Sequence, residues 1–133
     1  MNERRLLQFM IGFAALVPVI VGIKGMVMGT DMYGETRAQI LMENHFRYLS
    51  GILMAIGISF WRLLPTIEKA TGQVRMLTYL VVLGGLARLI GTVATGLSAP
   101  IVLALLMELA VTPFLCIWQS RVAQRYGRNT ITS

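Results

Sequence analysis

Little in this chain can carry covalent chemistry. It has one cysteine, Cys116, and one histidine, His45, among 133 residues. A lone cysteine closes no internal disulfide and builds no paired redox centre, which excludes the membrane disulfide-relay enzymes. A lone histidine excludes paired-histidine haem ligation within one subunit. With no second histidine or cysteine beside His45, no zinc site is complete. There is no serine–histidine–acid set and no glycine-rich phosphate loop. Charge is scarce too: 14% of residues are charged, against roughly 25% in a soluble domain. These absences read as a protein that is not an enzyme and needs no cofactor.

What the chain does have is apolar sequence in long blocks. Hydrophobic residues make up 56% of it, and the mean hydropathy is +0.69. Four stretches stand out, at approximately Leu6–Met28, His45–Leu64, Met76–Gly96 and Ile101–Ser120. Each has about 20 residues, enough to cross roughly 30 Å of hydrocarbon as a helix. A helix satisfies its own backbone hydrogen bonds, which lipid cannot do. The expected fold class is therefore all-α: one transmembrane domain, an integral membrane four-helix bundle. The first stretch follows Arg4 and Arg5 as a signal peptide would. Its apolar run is too long and lacks a small-residue cleavage site, so it is read as a retained helix.

The net charge of +6 follows from topology. Four spans place both termini on one side. Arg4, Arg5, Arg62, Lys69, Arg75, Arg121, Arg125 and Arg128 all fall on that side, eight of the twelve basic residues. The loop at 29–44 carries Asp31, Glu35 and Glu43 against Arg37 alone. The positive-inside rule then puts both termini in the cytoplasm. Trp61 and Trp118 stand near the inner ends of the second and fourth spans, as interfacial anchors would. No nucleic-acid motif accompanies the basic residues. "LSAP" is expected to turn tightly between the last two spans. From Glu35 onward the first loop is expected to extend the second helix. Pro18 and Pro113 mark expected bends.

Small residues mark helix interfaces in lipid, and residues three or four apart share a face. This groups Ala14, Pro18, Gly22, Gly25 and Gly29 on the first helix, with Lys24 off the stripe. On the second it groups Arg47, Gly51, Ala55 and Ser59, with His45 off the stripe. The third carries Gly84, Arg88, Gly91 and Thr95, and the fourth Ala104, Glu108, Thr112 and Cys116. Arg88 and Glu108 both lie roughly 10–12 Å below the outer helix ends at about 1.5 Å per residue. An ion pair between them is expected, because each alone would cost roughly 2.5–3.5 kcal/mol at mid-membrane.

Two readings of that pair stay open. It is a structural clasp between the last two helices, or it lines a pocket that binds an anionic or carbonyl-bearing ligand. Arg47 either snorkels to lipid phosphate or extends the same pocket. His45 is read as a boundary residue beside it, with proton activity as the alternative. Cys116 and the nine methionines are read as packing residues.

"NHFRYLSGILMAIG", "GGLARLIG" and "LALLMELAVTPFLCIWQSRVA" together resemble an uncharacterised family of small four-span bacterial membrane proteins, a domain of unknown function. The resemblance covers nearly the whole chain, and its architecture is similar to the wider DoxX-like group. It implies a bacterial inner-membrane bundle and no established activity. The matching positions are His45, Arg47, Gly85, Arg88 and Glu108. Some DoxX-like proteins are accessory subunits of quinone-linked oxidoreductases, which by analogy favours binding or assembly.

The leading expectation is thus a non-catalytic membrane protein. Arg88, held by Glu108 and helped by Arg47 and His45, would bind a lipid, quinone or similar amphiphile in the outer half of the bundle. The alternative is a small proton-coupled transporter using Glu108 or His45. A third reading is an accessory subunit with a membrane protein partner. A homo-oligomer through "GMVMG" is left open.

Overall fold

A computed structural model describes residues 2–34 and 39–131. All regular structure among them is helical. Helix α1 (Glu3–Met28) leads into a 3₁₀ segment at Gly29–Tyr33, and α2 (Ile40–Leu63) into a second one at Leu64–Lys69. Then come α3 (Thr71–Thr95), α4 (Ala99–Leu106), a π-helical turn at Met107–Val111, and α5 (Thr112–Ile131). The last three run on without a break and form a fourth long helix. Among the described residues, four helices are therefore long and apolar enough to cross a membrane. The expected extension of α2 falls partly on residues 35–38, outside the described residues. The helix itself begins at Ile40, ahead of the apolar stretch.

The chain divides into two compact units, residues 12–62 and residues 1–11 with 63–133. In the first, α1 from Gly12 onward packs against α2. The second half of the expected α1 stripe, Gly22, Gly25 and Gly29, is buried, and a Cβ on Gly22 would lie 2.7 Å from the Ser50 carbonyl oxygen; in the first half the buried positions are Ala15 and Val19, one residue beyond the expected Ala14 and Pro18, which are half-buried. Close backbone approach of this kind is what small residues allow. The α2 stripe is different from the expected one. Ser50 and Gly57 are the buried positions of α2, and a Cβ on Gly57 would meet Val19 at 2.6 Å. Ala55 is exposed. A one-residue difference is about 100° of helix rotation. Partners at both ends of the helix fix that rotation. Trp61 donates its indole N–H to the Gly12 carbonyl at 2.9 Å, and Arg47 binds the far end of α1.

In the other unit, α3 lies against α4, the π turn and α5, and α5 also contacts the Leu64–Lys69 segment. Leu7, Ile67, Val74 and Val122 are almost wholly buried here. Among them sits Gln119, 0% exposed. Its amide donates to the Ile67 carbonyl at 2.6 Å and to the Thr71 hydroxyl at 3.1 Å. The amide nitrogen is bonded as buried polar groups usually are, while Oε1 has no hydrogen-bond partner among the described residues. The start of α1 is tied down by charge. Arg4 bonds Glu68 at 2.9 Å and the Pro65 carbonyl at 2.7 Å. Glu3 accepts from Arg125 at 2.6 Å and from the Trp118 indole at 3.3 Å.

The tight connection between the third and fourth long helices is present. Gly96 takes φ +80°, a conformation open to glycine, and donates its N–H to the Thr92 carbonyl at 2.8 Å. Pro100 then starts α4, where its missing N–H costs nothing. Of the two proline positions expected to bend a helix, Pro18 lies within uninterrupted α-helix. Pro113 directly follows the π turn and Thr112.

Candidate functional site

The π turn begins with an arithmetic of hydrogen bonds. Pro113 has no N–H, so the carbonyl four residues before it, that of Leu109, loses its α-helical donor. One turn earlier the helix loosens: the Thr112 N–H reaches back five residues to the Met107 carbonyl. The Thr112 hydroxyl donates to the same carbonyl at 2.7 Å. Glu108 sits inside this widened turn. Turns of this type recur at functional sites because they place a side chain off the regular helical register.

Across from it, Gly85 is buried on α3. A Cβ there would stand 2.8 Å from Leu109 Cδ2 and 2.9 Å from Glu108 Cβ. The bare backbone of α3 thus lets the π turn come close. One turn further on, Arg88 meets Glu108 in a two-pronged pair. Nε donates to Oε2 and Nη2 to Oε1, each at 3.0 Å. Such forks fix the guanidinium plane as well as its charge. The Arg88 side chain is 41% exposed and that of Glu108 17%. The carboxylate is therefore the inner partner, and the guanidinium is the face the pair presents. A planar cation held in this way suits a carboxylate, phosphate or carbonyl oxygen.

Neither face is quite the expected stripe. Of the two neighbouring glycines, Gly85 makes the contact, whereas a Cβ on Gly84 or Gly91 would meet nothing within 4 Å. Beyond the π turn, Leu115, Gln119 and Val122 are the buried positions of α5, and Cys116 is half-buried.

The other unit holds Arg47 and His45. Arg47 Nε bonds Glu43 at 2.7 Å, one turn back on α2. Its Nη1 donates to the Met26 carbonyl at 2.5 Å and the Val27 carbonyl at 2.9 Å. These belong to the last turn of α1, whose carbonyls have no helical donors. A cation there also meets the negative end of the helix dipole. Glu43 accepts from the Thr30 N–H at 2.9 Å and the Thr30 hydroxyl at 2.7 Å. Gly29, at φ +62°, makes the turn between them, and the Glu43 carboxylate fills the space a Cβ would need. Arg47 and Glu43 together close the α1–α2 hairpin. Glu43 lies ahead of the apolar part of α2, and the two bonds from Thr30, followed by Arg47, hold its carboxyl below the ordinary range.

His45 is exposed on α2, its ring tilted against Tyr48 at a centroid distance of 6.3 Å. The structure thus brings together Arg88 and Glu108 and gives Arg47 a partner the sequence reading passed over. The Glu43–Arg47 spacing of four was the available signal, since that order favours a helical ion pair. Among the described residues no cluster of three potential metal ligands exists.

The chain belongs to the DUF4345 family. The family model, described as a domain of unknown function, matches residues 6–119. That range takes in the Arg88–Glu108 pair, the hairpin closure and His45. Neither a curated protein nor a solved structure matches the chain.

Proposed function

We propose that this DUF4345 protein is a non-catalytic, multi-pass protein of a bacterial inner membrane, with both termini cytoplasmic, that holds the polar end of an amphiphile at Arg88. The ligand class is a lipid, a quinone or a similar molecule with an acidic or carbonyl head. The observation that carries this reading is the two-pronged Arg88–Glu108 pair. A clasp alone needs charge neutralisation; this one also sits on a π turn and keeps its cation as the more exposed partner. Intramembrane ions point to function by default. Glu108 positions Arg88, and Arg88 meets the ligand. The likeness to the DoxX-like group favours the same placement in the cell and a role beside a membrane oxidoreductase, by analogy only.

Native mass spectrometry of protein extracted gently from its own membrane tests this. A bound lipid or quinone that disappears in Arg88→Ala and in Glu108→Ala, both still folded, is the expected result. Bound ligand unchanged in both variants overturns it.

A small proton-coupled transporter is the second reading. The π turn favours it, because turns of this kind recur at functional sites and this one carries Glu108. It requires pH-dependent flux in liposomes that Glu108→Gln abolishes. Absence of such flux across a broad substrate panel removes it.

A further inference from the structure

A second polar site lies at the other end of the α3–α5 contact. Arg75, Thr78 and Tyr79 of α3 face Cys116, Ser120 and Arg121 of α5 across a groove of about 430 Å³. Ligand pockets run from about 300 to 1,000 Å³. Four described glutamates are already committed, Glu3 to Arg125, Glu43 to Arg47, Glu68 to Arg4 and Glu108 to Arg88. Among the described residues, Arg75 and Arg121 have no ion-pair partner. Two uncompensated guanidiniums therefore line one groove. Beneath them Thr78 is 6% exposed, and its hydroxyl has no hydrogen-bond partner among the described residues. Buried hydroxyls without partners are uncommon. Thr78 is one of the residues that line the groove.

The surroundings are graded along the helices. From Arg75 the same face of α3 continues through Tyr79 and Leu83, 71% and 67% exposed. From Arg121 the same face of α5 continues through Ile117 and Phe114, 56% and 61% exposed. Positive charge sits at one end of the groove and uncovered apolar side chains lead away from it.

We infer that this groove binds the phosphate group of an anionic amphiphile, with Arg75 and Arg121 on the phosphate and the Tyr79–Leu83 and Ile117–Phe114 faces along its chain. Two arginines neutralise a phosphomonoester and match its oxygens in fork geometry. A membrane orientation with the termini in the cytoplasm places the groove at the leaflet where anionic lipids concentrate. The site is separate from Arg88 and shares with it only the reading that the helices cross a membrane.

The test uses the full chain in detergent, with dioleoyl phosphatidic acid, dioleoyl phosphatidylcholine and inorganic phosphate as probes. Native mass spectrometry is expected to show phosphatidic acid retained over phosphatidylcholine. Arg75→Gln with Arg121→Gln should weaken it about twenty-five-fold, taking about fivefold for each basic residue at a charged surface. Arg62→Gln, another exposed arginine near the same expected membrane face, should not. Equal loss in Arg62→Gln, or no loss in the double variant, overturns the site. A variant-free measurement guards against misfolding: phosphatidic acid should slow maleimide labelling of Cys116 in the wild type, and unchanged labelling also overturns the site. Inorganic phosphate that displaces the lipid supports a site for soluble phosphate compounds as well; failure to displace supports a lipid site. Resistance of the protein to carbonate extraction is scored in parallel, so a failure of the membrane reading is distinguishable from a failure of the groove.

Discussion

Replacing Gly85 with alanine puts the geometry of the Arg88–Glu108 pair to a direct test. The added methyl would lie 2.9 Å from Glu108 Cβ and 2.8 Å from Leu109 Cδ2. Leu109 can turn its tip away. Glu108 Cβ cannot, because it is fixed to the backbone of the π turn. Ordinary contact begins near 3.4 Å, so α3 and the turn must part by about 0.5 Å, an overpacking that costs about 1–3 kcal/mol. Alanine also recovers about 0.5–1 kcal/mol of glycine's helical penalty. The next residue supplies a matched control, since a Cβ on Gly84 meets nothing within 4 Å. Gly84→Ala gains the propensity term without the clash. The difference between the two variants should therefore be about 1–3 kcal/mol, close to the overpacking cost alone. Reversible unfolding in mixed micelles, scanned by SDS fraction, measures it. Equal stability of the two alanine variants would show that α3 and the π turn do not approach as described.

Three further outcomes follow from other contacts. Arg47→Lys should fail to restore the α1–α2 closure lost in Arg47→Ala, because one ammonium cannot copy a guanidinium that bonds Glu43 and two carbonyls at once. Hydrogen exchange at the last turn of α1 reads this, and slow exchange in Arg47→Lys would contradict it. The closure should also depend on acid: a carboxyl held below its ordinary value of 4.5 stabilises the fold above that pH and loses the effect as pH falls through the lower folded value. The stability gap between wild type and Glu43→Ala should thus stay constant from neutral pH down to about 5 and shrink only below that; a gap already closing near pH 6 would argue against the Thr30 bonds. Finally, reporter fusions at both termini should report the cytoplasm, with a reporter at Gly34 on the opposite side; any other pattern removes the proposed orientation.

The sequence by itself determined the four apolar helices, a tight turn at "LSAP", which the structure places at 96–98 with Ala99 and Pro100 already helical, and the Arg88–Glu108 pair. All three follow from short-range properties: run length, turn chemistry and matching depth on consecutive helices. It also marked Gly22 and Gly25, because a glycine-rich stripe on α1 has one smooth face to offer. What it left open was rotation. In "GG" at 84–85 both residues are equally small, and only the position of the π turn decides that Gly85 carries the contact. On α2, Gly51, Ala55 and Ser59 made the tidier stripe, yet Trp61 on the Gly12 carbonyl and Arg47 on the end of α1 turn Ser50 and Gly57 inward. Small residues permit close approach without demanding it. Long-range hydrogen bonds from large side chains select among the permitted faces. The groove between Arg75 and Arg121 belongs to the same class, since residues 46 apart become one site only when α3 and α5 are laid side by side.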